Sequence, residues 1–169
     1  PPWRVTVSDS TPNSSSAPIY ADRNSGEKFA DATSMVNAYL GRFAERAALQ
    51  QDGQPLHPTL DETGYAHVQR GSATIGINVL EQQGVLMVFS PIMPVPVTGR
   101  EAFYRRLLEL SFVTTSDASF AINAHNDEVA VRCLRRLSAL DYEEFEDILA
   151  TVGEVADRWD DVLIKEFGT

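Results

Sequence analysis

The feature that most constrains this chain is an alternation followed by a run. Ala73, Ile75, Ile77 and Val79 alternate with Ser72, Thr74, Gly76 and Asn78. After Gln82-Gln83-Gly84 comes the unbroken apolar stretch Val85-Leu86-Met87-Val88-Phe89. Successive strand side chains point to opposite faces, so a period of two places one face on a core and the other in water. Tyr65 to Arg70, closed by Gly71, reads as a shorter strand ahead of these two. Turn residues separate all three, and the pattern predicts an antiparallel three-strand meander.

Helical periods flank the meander. From Glu27 onward Phe29, Ala32, Val36, Leu40, Phe43 and Ala47 recur at steps of three and four, with Ser25 as N-cap and Gly53 and Pro55 ending the run. Ser90 to Gly99 carries Pro91, Pro94 and Pro96. Proline at this density predicts an extended, polyproline-like segment that is neither helix nor central strand. Arg100 to Phe112 reads as a second helix, with Phe103, Leu107 and Leu110 on one side and Tyr104, Leu108 and Phe112 extending the apolar surface. A hairpin follows, built from 118–124 and 129–133 around His125-Asn126-Asp127. Residues 141–167 form a long amphipathic helix, capped by Ser138 or Asp141. The order is α-β-β-β-α-β-β-α, an α+β fold with an antiparallel sheet flanked by helices. Residues 1–26 are different. Ser8, Ser10, Thr11, Pro12, Asn13, Ser14, Ser15, Ser16 and Pro18 have almost nothing to bury, between Trp3-Arg4-Val5 and Ile19-Tyr20. This stretch reads as a polar arm, either a flexible linker or one that docks on a sheet edge or a neighbouring subunit. Residues 27–169 read as a single domain.

At 169 residues the chain is long enough for one real core. Its net charge of −10 disfavours nucleic acid as a partner, and no apolar run is long enough for a membrane helix. The charge has an address: residues 141–166 hold ten acids and two bases. Arg100, Arg105, Arg106, Arg132, Arg135 and Arg136 read as surface charge that counters this helix, or as a site for an acidic partner. The one cysteine, Cys133, shares a strand face with Val129 and Val131 and reads as a small buried side chain. His57, His67 and His125 lack metal-site spacing, and no nucleophile elbow, P-loop or dinucleotide-binding glycine pattern occurs. The expectation is a protein with no enzymatic activity, no cofactor and no metal. Its default compartment is the cytoplasm.

Three stretches carry a family resemblance. Leu107-Leu108-Glu109-Leu110-Ser111-Phe112, followed by Ala118-Ser119-Phe120-Ala121-Ile122, resembles the helix-to-strand junction of the class I type III secretion chaperone fold, which the YbjN family shares. Leu140-Asp141-Tyr142-Glu143-Glu144-Phe145 resembles the entry to that fold's last helix. With the element order, the resemblance spans residues 27–167. It implies a small acidic bacterial binding protein without cofactor, in a group with many homodimers whose secretion chaperones hold extended segments of other proteins. Fold likeness alone does not transfer that activity. On this basis Val85, Met87, Ile92 and Met93 are candidates for contact with a partner protein. Phe103, Leu107 and Leu110 are candidates for a dimer face, with core packing as the alternative for these residues. A second functional class is a structural or adaptor subunit of a larger secretion- or injection-type assembly, attached through the N-terminal arm.

Overall fold

The computed structural model describes residues 20–51 and 53–168. In it the alternating segment and the apolar run are adjacent strands of one five-stranded antiparallel sheet. Its strands are β1 (Tyr65–Arg70), β2 (Ala73–Leu80), β3 (Val85–Pro94), β4 (Ser119–Asn123) and β5 (Glu128–Arg136). The spatial order is β1-β2-β3-β5-β4, so the second hairpin joins the meander through its last strand. The helices are α1 (Ala32–Arg46), α2 (Arg100–Val113) and α3 (Tyr142–Phe167). This is the α+β order expected from the sequence.

The helices cover one face of the sheet. Ile75, Ile77, Leu86, Val88, Val131 and Cys133 are buried beneath α1 and α3, against Tyr39, Leu40, Phe145 and Leu149. A second cluster, with Met93, Phe103, Leu107, Leu110, Val129 and Leu163, seats α2 beside the end of α3. There the rings of Phe103 and Phe167 meet edge-on at 5.0 Å. Ile92, Phe120 and Trp159 pack against both clusters and join them. Full burial of one such side chain stabilises the fold by about 1.5–3 kcal/mol.

Two expectations are corrected. The first helix does not begin at Glu27. Phe29 belongs to a two-residue ladder, Tyr20–Ala21 against Lys28–Phe29, and the helix starts only at Ala32. Its N-cap is Asp31, whose carboxylate accepts from Ser34 N at 2.7 Å, and Ser25 instead serves the turn of the ladder. The helix also stops at Arg46, seven residues short of Gly53. The second correction is the proline segment, which is a strand as far as Pro94. Val85 to Phe89 has β2 on one side and β5 on the other, but from Ser90 onward only β5 pairs with it. Pro91 and Pro94 therefore lie on an edge, where a missing N–H breaks no ladder, and the register shifts between Pro91 and Met93. Of the expected arm, residues 1–19 lie outside the described residues. Its remainder is folded: Asp22 is buried between the strands of the ladder, α1 and α3.

Candidate partner-binding surfaces

One sheet face carries no helix among the described residues. Cross-strand register defines three rows on it: His67, Gly76, Phe89 and Arg132; then Tyr65, Asn78, Met87 and Leu134; then Leu80, Val85 and Arg136. None of these residues belongs to either buried cluster. Gly76 is glycine for a steric reason, since a Cβ there would sit 2.6 Å from the Phe89 ring. Phe89 thus lies flat across the strand beside Tyr65, whose ring centroid is 6.3 Å away. The result is an apolar surface of Tyr65, Leu80, Val85, Met87, Phe89 and Leu134, with Arg132 and Arg136 along its β5 side. Neither arginine has an ion-pair partner among the described residues. Asn78 Oδ1, in the middle row, is shielded from solvent and accepts no hydrogen bond from the described residues.

The candidates named from sequence divide between this face and the core. Val85 and Met87 lie on the open face, half-buried by their neighbours. Ile92 packs against both clusters, and Met93 is buried in the second one, beneath α2. Phe89, Leu134 and Tyr65 complete the face and were missed. A continuous apolar run conceals which parity points outward. Leu134 carried a signal of its own, because it is out of phase with Val129, Val131 and Cys133.

A second exposed apolar strip lies on α2. Phe103, Leu107 and Leu110 are buried at 0%, 5% and 4% exposure, so they pack in the core, the alternative the sequence left open for them. The opposite side of the same helix presents Leu108 and Phe112, at 73% and 91% exposure, next to Tyr104. Glu101, Arg105 and Glu109 border this strip, and Arg105 pairs with Glu109 at 2.9 Å.

The electrostatics of the remaining groups are structural. Asp22 receives four donors: Asn24 N and Ser25 N on Oδ1, and the Tyr39 hydroxyl and Tyr142 N on Oδ2, at 2.7–3.0 Å. Burial alone would raise its pKa. The backbone donors of Ser25 and Tyr142 and the Tyr39 hydroxyl outweigh this and hold the carboxyl well below the usual carboxylate range. Burial also pushes up the Tyr39 hydroxyl, and the neighbouring Asp22 charge adds to that. The Cys133 thiol is likewise pushed up by burial, against the opposing charge of Arg135, whose Nη1 donates to its Sγ at 3.1 Å. Among the arginines singled out, Arg106 and Arg135 pair with α3 through Glu166 and Glu144, and Arg100 pairs with Asp127. Among the described residues there is no group of three metal-ligating side chains, and no helix long and apolar enough to cross a membrane.

Comparison with known proteins places this geometry. No curated protein sequence matches the chain. Solved structures do. A chain of the ExsC–ExsE complex aligns with a TM-score of 0.62 at 25% identity, over 79% of this chain and 96% of that one. A chain of the HopA1–SchA chaperone–effector complex gives 0.58 at 9% identity, over 75% and 94%. A chain of the heterodimeric ExoU–SpcU complex, from the type III secretion system of Pseudomonas aeruginosa, gives 0.54 at 12%, over 73% and 96%. The latter two likenesses concern the fold alone. The profile of the Tir chaperone protein (CesT) family matches residues 49–160, from just after α1 into the last third of α3, and this chain belongs to that family.

Proposed function

We propose that the chain is a non-enzymatic chaperone that holds an extended apolar segment of another protein, of the effector kind, along the helix-free face of its sheet. The observation that carries this reading is the uncovered set Tyr65, Val85, Met87, Phe89 and Leu134, bordered by two arginines without ion-pair partners among the described residues. An extended segment suits such a face because its alternate side chains meet cross-strand rows spaced at the strand period. Arg132 and Arg136 select a segment with acidic residues at its margin. Membership of a chaperone family and the chaperone–effector complex among the structural neighbours support a protein partner. The adaptor alternative gains no support over this reading, and the YbjN part of the resemblance gains none from these matches. The same proposal places the protein in the bacterial cytoplasm as a homodimer, joined through Leu108, Phe112 and Tyr104 rather than through the buried side of α2.

The test is recovery of the partner from the native cell with wild-type protein and with the double variant Met87→Glu, Leu134→Glu, followed by amide hydrogen exchange on the purified complex. A buried, unpaired glutamate at either position weakens binding by about 1.4–3 kcal/mol, roughly 10- to 150-fold. Exchange in 85–89 and 132–136 slows in the wild-type complex. A partner retained equally by both proteins, with protection elsewhere, overturns the assignment of this face.

A further inference from the structure

We infer that the seam between β3 and β5 on the helix-free face selects a spaced pattern in the bound segment: glutamate, any residue, an apolar residue, any residue, glutamate. This rests on the reading of that face as the partner-binding surface and names the sequence class that the surface takes.

Cross-strand register places three pairs along the seam: Phe89 with Arg132, Met87 with Leu134 and Val85 with Arg136. The middle pair is wholly apolar, and its Leu134 is 41% exposed. Each outer pair sets one apolar side chain beside one guanidinium, and neither guanidinium has an ion-pair partner among the described residues. An extended segment laid along the seam turns alternate residues down at intervals of about 6.7 Å, which is also the spacing of the pairs. Its central down-facing residue meets Met87 and Leu134 and must be apolar. The down-facing residues on either side meet a mixed pair, and glutamate suits both parts of it. Its methylenes cover Phe89 or Val85 while its carboxylate takes the arginine fork.

The outer pairs are four strand residues apart, about 13 Å. A segment crossing at about 30°, as stacked sheets do, drifts about 3 Å from the seam at either end, within the swing of an arginine side chain. A helix covers the same distance in about nine residues, so the spacing of the two acids separates an extended occupant from a helical one. The neighbours of each pair fix the register. A slip of two residues sets a carboxylate on Met87 and Leu134. A slip of four toward the start of β5 brings one against Glu128, itself held by Asn126 Nδ2 at 2.9 Å. In the other direction β5 ends at Arg136, and one acid loses its arginine.

A phage-displayed library of random segments, long enough to hold two acids in either spacing, probes the seam directly. Wild-type protein is expected to enrich glutamates four residues apart around a central apolar residue. The Arg132→Glu, Arg136→Glu variant enriches lysine or arginine at the same spacing. The milder Arg132→Gln, Arg136→Gln variant keeps the central apolar residue and loses the acids, and circular dichroism melts stay cooperative for both. In a synthetic peptide taken from the wild-type pool, changing either glutamate to glutamine weakens binding by about fivefold at low salt and by less at high salt. Acids without a fixed spacing, acids about nine residues apart, or the same sequences enriched by the Arg132→Glu, Arg136→Glu variant overturn the inference. So does a wild-type pool no different from that of Leu134→Glu protein. A lower mass of the Arg132→Glu, Arg136→Glu variant in light scattering also overturns it, by assigning the seam to a second copy. The native partner separates this inference from the reading beneath it. A partner that protects 85–89 and 132–136 but lacks the spaced acids sinks only the pattern. The pattern enriched on this face, with the native partner protecting other segments, sinks only the partner-binding assignment.

Discussion

Four donors converge on the Asp22 carboxylate, and they come from three places in the fold. Asn24 and Ser25 belong to its own turn, Tyr39 is mid-α1, and Tyr142 N is the first amide of α3. That last amide is one of the orphan donors at a helix start. Asp141 caps Glu144 N locally, and Asp22 takes a further amide from 120 residues away in sequence. One side chain thus pins the N-terminal ladder, α1 and α3 together. Asp22→Ala leaves Tyr39 and Tyr142 N as buried donors without an acceptor and is expected to cost about 2–4 kcal/mol in urea denaturation. The sign of the pH effect follows from the lowered pKa. Asp22 stays ionised in the folded protein at pH values where the unfolded chain takes up a proton, so its contribution is complete above about pH 4–5 and declines as pH falls below that range. Asp22→Asn therefore loses less stability between pH 5 and pH 2 than wild type, and the two curves converge at low pH. Parallel curves would show that the carboxylate's charge is not what the site uses.

At the scale of elements, α2 decides between two faces that its sequence does not distinguish. Phe103, Leu107 and Leu110 form one helical stripe, and Tyr104, Leu108 and Phe112 form another. Both are apolar, so periodicity reveals the helix but not which stripe meets the core. The tertiary partners settle that: Met93, Val129 and Leu163 lie under the first stripe. Leu107→Glu thus places an unpaired charge in the second core and is expected to destabilise by about 3–5 kcal/mol or to prevent folding. Leu108→Glu with Phe112→Glu leaves the melt nearly unchanged and converts the proposed dimer to a monomer in light scattering. An unchanged dimer mass removes α2 from the interface. The same limit governs the rest of the reading. Alternation marks the core parity of β2 unmistakably, because its other face carries Thr74, Gly76 and Asn78. It fails for β3, where both parities are apolar because one meets helices and the other makes the open face. The proline segment was legible as extended, but its place on an edge depends on the β2–β3 pairing stopping at Gly76 and Phe89, which is a fact about a neighbour. Asp22 was not legible at all, since three of its elements meet only in the folded chain.

At the scale of the molecule, the long acidic helix is the surface on which the basic residues of other elements converge. Arg46 of α1 pairs with Glu146, Arg70 of β1 with Glu154, Arg106 of α2 with Glu166 and Arg135 of β5 with Glu144. Four elements are thereby tied to α3, and the arginines left without ion pairs among the described residues include Arg132 and Arg136 on the opposite face of the sheet. The ties differ in strength. Arg70 and Arg106 are more than a third exposed, at 3.7 and 3.3 Å from their partners, a setting in which an ion pair contributes at most about 1 kcal/mol. Arg135 is three-quarters buried. Its Nε meets Glu144 at 2.7 Å, its Nη2 meets Asp117, and its Nη1 donates to Leu134 O at 3.1 Å. It therefore joins β5, the turn before β4 and the first turn of α3 through one planar fork, which an ammonium group cannot reproduce. Arg135→Met, which keeps most of the volume, is expected to lower stability by about 2–3 kcal/mol, against about 1 kcal/mol or less for Arg70→Met and Arg106→Met. Arg135→Lys recovers only a minor part of the loss. Urea midpoints at constant slope measure all four. Equal losses for Arg135→Met and Arg70→Met would mean that α3 is held by its apolar face alone and that its acids are simply screened by the arginines around it.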